Sequence, residues 1–446
     1  MQSQQQNGTG NVKPGTSQQE QTGGGVSRRS VLKGTTAAMG AAATFAALGT
    51  NFAWAQVSEE IKVGMIGAGG RASGAAGNIL EAGGIIKQGV KIHAVADAFP
   101  DPVKKIKDKY KVDQKNCFVG LDAYKELVNS DIELVITATP PGFRPIHFAA
   151  AIEAGKHIFF EKPVAVDPWG VRKVIEAGKK AAEKNLAAVT GTQRRHQTNY
   201  NETIEQIHGG AIGDVMHMSV YWNGQDIWYR PRQPGMTDMQ AQVHNWYHHI
   251  WLCGDQICEQ HIHNLDIANW VLNSHPISAL GLGGRQVRDA LGQVPGEIWD
   301  HFGVEYEYPN GARVLSQCRH WPKSDGNVSE FAIGTQGTFN GNDGTCGLTI
   351  KGQKKTYKSQ RSGYVQEHID MINSIKAGKP LNEATRIAES TLTAIIGRMS
   401  SYTGKKVMWD WAMNESKLKT MPDGDLTWDT KPPEVHVPQP GSTPLV

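Results

Sequence analysis

Cysteine is scarce in this chain, and neither sign of charge is in clear excess. The 446 residues include five cysteines, and 46 Lys and Arg stand against 43 Asp and Glu, for a net charge of +3. An odd, scattered set of cysteines does not indicate a disulfide framework and agrees with folding in a reducing compartment. So small a positive excess argues against nucleic acid as a partner. The 39% hydrophobic content is typical of a globular chain long enough for two domains.

Long hydrophobic runs are lacking too. The most apolar stretch, 35–48, is alanine-rich. At about 15 residues it is too short to cross a bilayer comfortably. It follows Ser27-Arg28-Arg29-Ser30 and precedes Ala53-Trp54-Ala55, a small-x-small processing pattern. Paired arginines, a modest apolar region and a processing site predict a twin-arginine export signal within residues 1–55. A membrane anchor is the alternative.

We therefore expect the protein to use the twin-arginine (Tat) export machinery and to reside in the periplasm or otherwise outside the cytoplasm, without a stable membrane anchor. The residues ahead of the paired arginines, 1–26, are rich in Gln, Gly, Ser and Thr. Such composition buries too little apolar surface to fold, so this stretch is expected to be disordered.

What the chain does contain is an apolar strand that runs directly into a glycine turn, Ile61 to Ala72. The turn has the G-x-G-x-x-(G/A) pattern of dinucleotide-binding sites. Gly67 permits the tight turn, Gly69 lets backbone N–H groups approach a pyrophosphate, and the small Ala72 lets the next helix pack on the strand. The N-terminus of that helix, with Gly70 and Arg71, would face the phosphates. A purely structural strand–helix turn is the alternative.

A second strand ends at Asp97, where an acid would contact the ribose 2′-hydroxyl of a dinucleotide. A carboxylate repels a 2′-phosphate, and no Arg or Lys follows before Lys104. The pattern therefore favours NAD over NADP. The alternative is that Asp97 caps the helix that begins near Asp101-Pro102.

Strands and helices alternate from Ile61 to about Arg195, which predicts a parallel, doubly wound (Rossmann) sheet in residues 56–195. The ends of two of its strands carry Thr139-Pro140 and Glu161-Lys162-Pro163. Ligands bind at the carboxyl ends of such strands, so these residues are expected to face one crevice. Residues 196–446 have longer, alternating strands and a Pro309-Asn310-Gly311 hairpin turn, which indicates an α+β domain with an open, mostly antiparallel sheet.

The order and spacing of four motifs resemble the glucose–fructose oxidoreductase / inositol dehydrogenase (Gfo/Idh/MocA) family. They are Gly67-Ala-Gly69, Thr139-Pro140, Glu161-Lys162-Pro163 and the segment Glu259 to Asp266. The resemblance implies NAD(P)-dependent chemistry on sugar or polyol carbons, in oligomers built on the second sheet. It implies that Lys162 is the catalytic lysine, that His263 sits at the reacting hydroxyl, and that Glu259 is the acid one helical turn earlier. The family more often has Asp at position 259 and Gly at 261, so His261 is a possible extra participant.

The residue types themselves support this chemistry. Glu259 and His263 are four positions apart, so on one helix face the acid would orient the histidine. Removing hydride from a secondary alcohol needs a base for the hydroxyl proton and a cation beside the developing alkoxide, which His263 and Lys162 provide. The alternatives are a solvated lysine at a strand end and a histidine that only satisfies local hydrogen bonds.

Histidine, cysteine and aromatic residues crowd the region from Trp222 to His263. Their spacing fits no recognised zinc motif, so we expect no metal. We select Arg194, Trp228, Tyr229 and His261 as candidate substrate contacts, because flat rings suit sugar stacking and guanidinium groups bind hydroxyls. Core packing, an oligomer interface or packing at the domain junction remain alternatives for each.

These features together predict an exported NAD-dependent oxidoreductase that acts on a small-molecule carbohydrate, as a homo-oligomer. The export pathway moves folded proteins into a compartment with little free nicotinamide cofactor, so the cofactor would leave the cytoplasm already bound. One alternative is a redox-assisted glycoside hydrolase, in which transient oxidation allows a glycosidic group to leave and re-reduction restores the NAD. The other is a sugar-binding relative without catalytic activity.

Overall fold

The computed structural model describes residues 58–290 and 296–446. The predicted export signal lies outside these residues. Within them, no helix is both long and apolar enough to cross a membrane.

Six parallel strands form the first sheet, as predicted. They are β1 (Glu60–Ile66), β2 (Gly89–Asp97), β3 (Cys117–Val119), β4 (Leu134–Thr137), β5 (His157–Phe160) and β6 (Ala188–Thr190). Their spatial order is β3-β2-β1-β4-β5-β6, which places the topological switch, where ligands bind, between β1 and β4. The helices between them are α1 (Gly70–Ile86), α2 (Pro100–Tyr110), α3 (Ala123–Val128), α4 (Arg144–Glu153) and α5 (Pro168–Glu183).

The central strands of this sheet form because their sequences are apolar without alternation. Every residue of β4 and β5 is buried, as expected for strands covered by helices on both faces.

A nine-stranded sheet follows. Its strands are β7 (Val215–Gly224), β8 (Ser278–Gly284), β9 (His301–Glu307), β10 (Arg313–His320), β11 (Asn327–Gly334), β12 (Gly337–Gly341), β13 (Thr345–Ile350), β14 (Gln353–Lys358) and β15 (Val407–Met408). They lie in the order β14-β13-β12-β11-β7-β10-β9-β8-β15. Only β7 and β10 pair in parallel, so the sheet is mostly antiparallel, as predicted. The predicted hairpin turn joins β9 to β10, with Gly311 at φ +84°.

The helices of the second half are α6 (Thr198–His208), α7 (Asp238–His244), α8 (Ile250–Cys253), α9 (Gln256–Glu259), α10 (Ile262–Leu272), α11 (Gln286–Ala290), α12 (Gly363–Lys376), α13 (Ala384–Thr403) and α14 (Trp409–Asn414). Helix α13 is buried almost all round and packs against both α5 and β8. It therefore joins the two sheets through one shared hydrophobic core. Helix α13 ends at Gly404 (φ +72°), where a glycine can adopt the left-handed conformation that closes a helix.

Helix α7 begins within the long connection that follows β7. Thr237 and Gln240 form a capping box, in which each side chain accepts a hydrogen bond from the other residue's backbone N–H. This pairing starts the helix at Asp238. The Thr-x-x-Gln pattern in the sequence marks this start.

Candidate active site

The glycine turn and the ends of β1, β2 and β4 border a cavity of about 780 Å³, here called the nucleotide pocket. Its lining includes all but three of the predicted cofactor-binding residues: Gly67, Gly69, Gly70, Arg71, Asp97, Thr139 and Pro140. Ala72 is fully buried beneath the turn, as its packing role requires. Glu161 and Lys162 line an adjoining cavity instead.

The glycine turn fits a dinucleotide. Gly67 has φ +90°, and a Cβ there would lie 3.1 Å from Thr139 Cγ2 and 3.3 Å from the Ala138 carbonyl. At Gly69 and Gly70 a Cβ would meet nothing within 4 Å. Open space beside these two residues lets a pyrophosphate approach the N-terminus of α1.

Asp97 is fixed at the end of β2 by backbone donors. The N–H of Ala68 donates to Oδ2 at 2.7 Å, and the N–H of Phe99 donates to Oδ1 at 2.9 Å. Burial raises the pKa of this carboxyl. Each carboxylate oxygen has a further lone pair, so the group can still accept a hydrogen bond from a ribose hydroxyl. Arg230, far away in sequence, also lines the nucleotide pocket.

A second cavity of about 590 Å³, here called the substrate pocket, adjoins the nucleotide pocket. The two share Arg71, Ala138, Trp228 and Trp246 as lining residues. The substrate pocket is also lined by Lys162, Glu259, His263 and Arg194, together with Glu161, Arg144, Gln193, Trp222, Tyr247, Asp343 and Tyr364. The structure thus brings the three proposed catalytic side chains together.

Lys162 and Glu259 form a buried pair. The Lys162 ammonium donates to the backbone carbonyl of Glu259 at 2.6 Å, and lies 3.5 Å from Oε1 of its carboxylate. Burial raises the pKa of the Glu259 carboxyl, while the positive charges of Lys162 and Arg144 oppose that rise. The peptide bond from Lys162 to Pro163 is cis.

The expected pairing of Glu259 with His263 on one helix face is wrong. Helix α9 ends at Glu259 and α10 begins at Ile262, so the two residues lie on different helices. The bond from the His263 N–H to the Gln260 carbonyl (3.3 Å) belongs to the turn between them. Glu259 consequently pairs with the Lys162 ammonium and does not share a helix face with His263.

His263 is held by an aromatic ring instead. Its imidazole stacks on Trp222, with ring centroids 5.7 Å apart. Burial lowers the pKa of His263 well below 6.5, and the charges of Lys162, Arg194 and Arg71 lower it further. The ring is therefore neutral at pH 7 and has a nitrogen free to accept a proton.

Glu161 holds Arg71 at the boundary between the two pockets. The Arg71 Nε lies 3.0 Å from Glu161 Oε1, and its guanidinium lies over the ring of Tyr364, 5.0 Å from the centroid. Gly191 leaves room for the Glu161 carboxylate, which would lie 2.5 Å from a Cβ at this position.

The four predicted substrate contacts separate into two groups. Arg194 lines the substrate pocket, but its charge is matched by Glu330 and by Asp343 at 3.4 Å, so it also serves packing at the junction between the two sheets. Trp228 lines both pockets.

Tyr229 and His261 lie elsewhere. Tyr229 lines a different cavity, bordered by residues 431–435. His261 is fully buried against β10, with Nε2 hydrogen-bonded to Ser316 Oγ at 2.8 Å, and lines neither pocket. The alternating burial of β10 turns the Ser316 hydroxyl inward, where it needs a polar partner such as the His261 ring. Among the residues that the structure describes, no group of three or more His, Cys, Asp and Glu side chains could hold a metal ion.

Several pocket residues were not selected from the sequence. Arg144 follows the Thr139-Pro140 motif closely and could have been found as a charged residue at a strand end. Tyr364 comes from α12, and no local pattern marks it.

Comparison with known proteins agrees with this geometry. A model of the oxidoreductase family with an NAD-binding Rossmann fold (GFO_IDH_MocA) matches residues 61–189. Inositol 2-dehydrogenase of Salmonella typhimurium is 28% identical over 187 residues, which cover 42% of this chain and 48% of that protein. Myo-inositol 2-dehydrogenase of Thermotoga maritima is 22% identical over 301 residues, 65% of this chain and 82% of that protein. The first of these matches spans about half the length of the relative.

Solved structures share the fold. A levoglucosan dehydrogenase in complex with NADH and levoglucosan has a TM-score of 0.64 at 16% identity, over 78% of this chain and 99% of its own. Aldose–aldose oxidoreductase from Caulobacter crescentus, in complex with glycerol, has a TM-score of 0.63 at 16% identity, with the same coverage. Residues 61–189 thus match the NAD-binding Rossmann fold of the Gfo/Idh/MocA oxidoreductases, the family that the motifs resemble.

Proposed function

We propose that this protein is an NAD-dependent oxidoreductase that transfers hydride at a hydroxyl-bearing ring carbon of a sugar or sugar derivative. One observation carries the proposal: Lys162, Glu259 and His263 line a single cavity that adjoins the nucleotide pocket. Relatives that act on inositols and sugars support the substrate class.

The residues divide the proton chemistry. NAD, when bound, supplies the hydride acceptor. The neutral His263 ring accepts the hydroxyl proton of the substrate, and the Lys162 ammonium stabilises negative charge that develops on the same oxygen. Glu259 fixes the Lys162 side chain so that the ammonium meets the oxygen without reorganisation.

The walls of the substrate pocket suit a sugar ring. Trp222, Trp228, Trp246 and Tyr247 all line it. Aromatic faces pack against the C–H faces of a pyranose, while Arg194 and Gln193, which line the same cavity, can bind hydroxyls. The polar groups fix the orientation of the ring, and the aromatic groups exclude water.

Three further parts of the proposal concern cofactor, compartment and assembly. Asp97 at the end of β2 supports a preference for NAD over NADP. The pattern in residues 1–55 supports export by the twin-arginine pathway. Exposed apolar side chains on the nine-stranded sheet support a homo-oligomer built on that surface: Met216, Leu280, Leu282, Leu315 and Ile333.

A cover over the nucleotide pocket supports a cofactor that stays bound. Residues 228–246, which include α7, line one side of that pocket. They share a small hydrophobic cluster with Phe99 of the pocket and with Met421, Leu426 and Trp428 of the C-terminal segment. Trp428 packs on Phe99, with ring centroids 5.2 Å apart, and its carbonyl accepts a hydrogen bond from Thr237. The C-terminal segment thereby braces the cover.

A retained cofactor favours a closed redox cycle. Simple oxidation would leave NADH trapped after one turnover, unless a second sugar reoxidised it. The cover therefore also supports a second candidate function, redox-neutral cleavage of a glycoside with NAD restored in each turnover.

The experiment uses the mature protein purified without added nucleotide. Mass spectrometry of the nucleotide released on denaturation is expected to identify NAD. The protein is then mixed with a panel of sugars and glycosides while product and the absorbance of reduced nicotinamide are followed. Sustained product without added NAD supports the closed cycle, and cleaved glycoside identifies the hydrolase. Strict dependence on added NAD, with NADH accumulating in solution, indicates an ordinary dehydrogenase. If no sugar or glycoside in the panel reduces NAD, the proposal is contradicted.

A further inference from the structure

Arg144 connects the two strand ends that border the pockets. It is the first residue of α4, directly after a 3-10 turn (Pro141–Phe143) that follows β4. Its Nε donates to the Thr139 carbonyl at 2.8 Å, and its Nη1 donates to the Pro163 carbonyl at 2.7 Å. Thr139 lines the nucleotide pocket, and Pro163 directly follows Lys162. One rigid guanidinium therefore fixes the Lys162–Pro163 turn relative to the rim of the nucleotide pocket.

The charge of Arg144 is buried without an ion-pair partner. Its residue surface is 3% exposed, and no carboxylate oxygen of the described residues lies within ion-pair distance. Burial lowers the pKa of Arg144 to about 10, so the group remains charged at neutral pH. The carboxylates that act on it most are Glu161 and Glu259, and both line the substrate pocket with it.

A second buried arginine shows what a purely structural role looks like. Arg398 of α13 also bridges two backbone carbonyls, those of Gly254 and Val166. It lines neither the nucleotide pocket nor the substrate pocket. Arg144 differs because its fork binds the residue next to the catalytic lysine, and because it lines the same pocket as the carboxylate that holds that lysine.

We propose that Arg144 is a positioning residue for Lys162: its fork fixes the Lys162–Pro163 turn, and its charge stabilises the Glu259 carboxylate that holds the Lys162 ammonium. This inference rests on the proposed function of Lys162. The fork and the charge are separable, because a lysine keeps the charge but cannot bridge two carbonyls in one plane.

The charge of Arg144 predicts a change in the pH profile. Burial disfavours the ionised form of Glu259, and Arg144 is one of the two cations that favour it. Without Arg144 the pKa of Glu259 rises further, so the pair with Lys162 is lost at a higher pH and the acid limb of kcat moves upward. The other titratable groups that interact electrostatically with Glu259 are Lys162, Glu161, Tyr247, Cys253 and Cys258. Burial raises the pKa of the tyrosine and both thiols, which stay neutral throughout this range.

The test compares R144K and R144M with R172K. Arg172 of α5 also binds backbone carbonyls, those of Met413 and Ser416, but lines neither of the two pockets. We expect R144K to lower kcat about 10-fold and to leave the acid limb of the kcat pH profile unchanged, because lysine keeps the charge and loses only the bridge between the two carbonyls. We expect R144M to lower kcat about 100-fold and to move the acid limb about one unit toward higher pH. R172K should match the wild type in both, and bound NAD should stay near one per chain in all variants.

A measurement without substrate separates this inference from the proposed function. Carbon-13 NMR titration of glutamate carboxyls, with the Glu259 signal assigned through E259Q, should show a higher Glu259 pKa in R144M than in the wild type. An unchanged Glu259 pKa, or an R144K protein with wild-type kcat, overturns the inference. If none of the sugars tested reduces the bound NAD of the wild type, but the Glu259 pKa is still higher in R144M, the proposed function fails while the electrostatic link between Arg144 and Glu259 stands. If R144M does not fold, R144Q replaces it in both measurements.

Discussion

Two alanine substitutions two residues apart in the glycine turn should differ in their effect on stability. In Gly67→Ala the new Cβ would lie 3.1 Å from Thr139 Cγ2 and 3.3 Å from the Ala138 carbonyl, at a backbone φ of +90°. The unfavourable φ costs an L-residue about 1–2 kcal/mol, and such strained positions in general cost about 1–3 kcal/mol. Since the Ala138 backbone cannot move freely, we expect a loss of about 2–3 kcal/mol in the free energy of unfolding of the cofactor-free protein.

Gly69→Ala should leave that stability nearly unchanged, because the added Cβ meets nothing within 4 Å and φ is −74°. The same Cβ projects into space that a pyrophosphate needs in order to approach the backbone N–H groups. We expect NAD affinity to fall at least 10-fold, equivalent to about 1.4 kcal/mol. Gly67→Ala loses affinity as well, but with the loss of stability.

Gly77→Ala is the matched control on the same helix. Its Cβ also meets nothing within 4 Å, but it lies in the interior of α1, away from the nucleotide pocket. Alanine should stabilise the helix there by about 0.5–1 kcal/mol and leave NAD affinity unchanged. Urea unfolding of cofactor-stripped protein gives the stabilities, and calorimetric titration with NAD gives the affinities. Equal destabilisation by Gly67→Ala and Gly69→Ala, or wild-type NAD affinity in Gly69→Ala, would refute the account of the turn.

Three other predictions follow from the site and its surroundings. Lys162→Ala and His263→Ala should each lower turnover by about 100-fold or more, with bound NAD near the wild-type amount; near-normal turnover of both on a verified substrate would contradict their assignment. Trp428→Ala should speed the release of bound NAD, measured by dilution into a nucleotide-free trap, because the cover loses its contact with Phe99; an unchanged release rate would show that the C-terminal segment does not brace it. The protein should lose stability as pH falls from about 6.5 toward 4, because burial lowers the pKa of His147 and of His261 to about 3 while the unfolded chain takes up protons near pH 6.5. Urea unfolding at several pH values measures this, and a flat profile would mean that these rings are protonated in the folded state.

Local patterns in the sequence predicted most of the fold and the gathering of strand-end motifs at one edge of the first sheet. Residues at the ends of parallel strands must meet at one edge of the sheet, so Gly67, Asp97, Thr139 and Lys162 could be placed together from their positions after apolar runs. The period of two in β10 and the Pro-Asn-Gly turn before it predicted the second sheet in the same way. Each of these inferences needs only the strand geometry and a few neighbouring residues.

Local patterns in the sequence could not predict which residue contacts Glu259. Spacing of four predicts a shared helix face only if the helix is continuous, and here it breaks between Glu259 and Ile262. The break leaves the Glu259 carbonyl without the helical N–H that would otherwise occupy it, and the Lys162 ammonium donates to it instead. What decides the partner is a contact between residues 97 positions apart, which no periodicity within the segment encodes.

The same reasoning applies to the cover of the nucleotide pocket. Its aromatic residues are conspicuous in sequence between Trp228 and Trp246, yet their position depends on a C-terminal segment that has no regular secondary structure. Trp428 packs on Phe99, and Thr237, at the start of α7, donates a hydrogen bond to the Trp428 carbonyl. A capping residue therefore both starts a helix and anchors a segment 191 positions away. The proposed retention of the cofactor depends on this long-range packing as well as on the glycine turn. Trp428→Ala and Gly69→Ala should therefore weaken NAD binding by different routes: the first by faster release, the second by poorer contact with the phosphates.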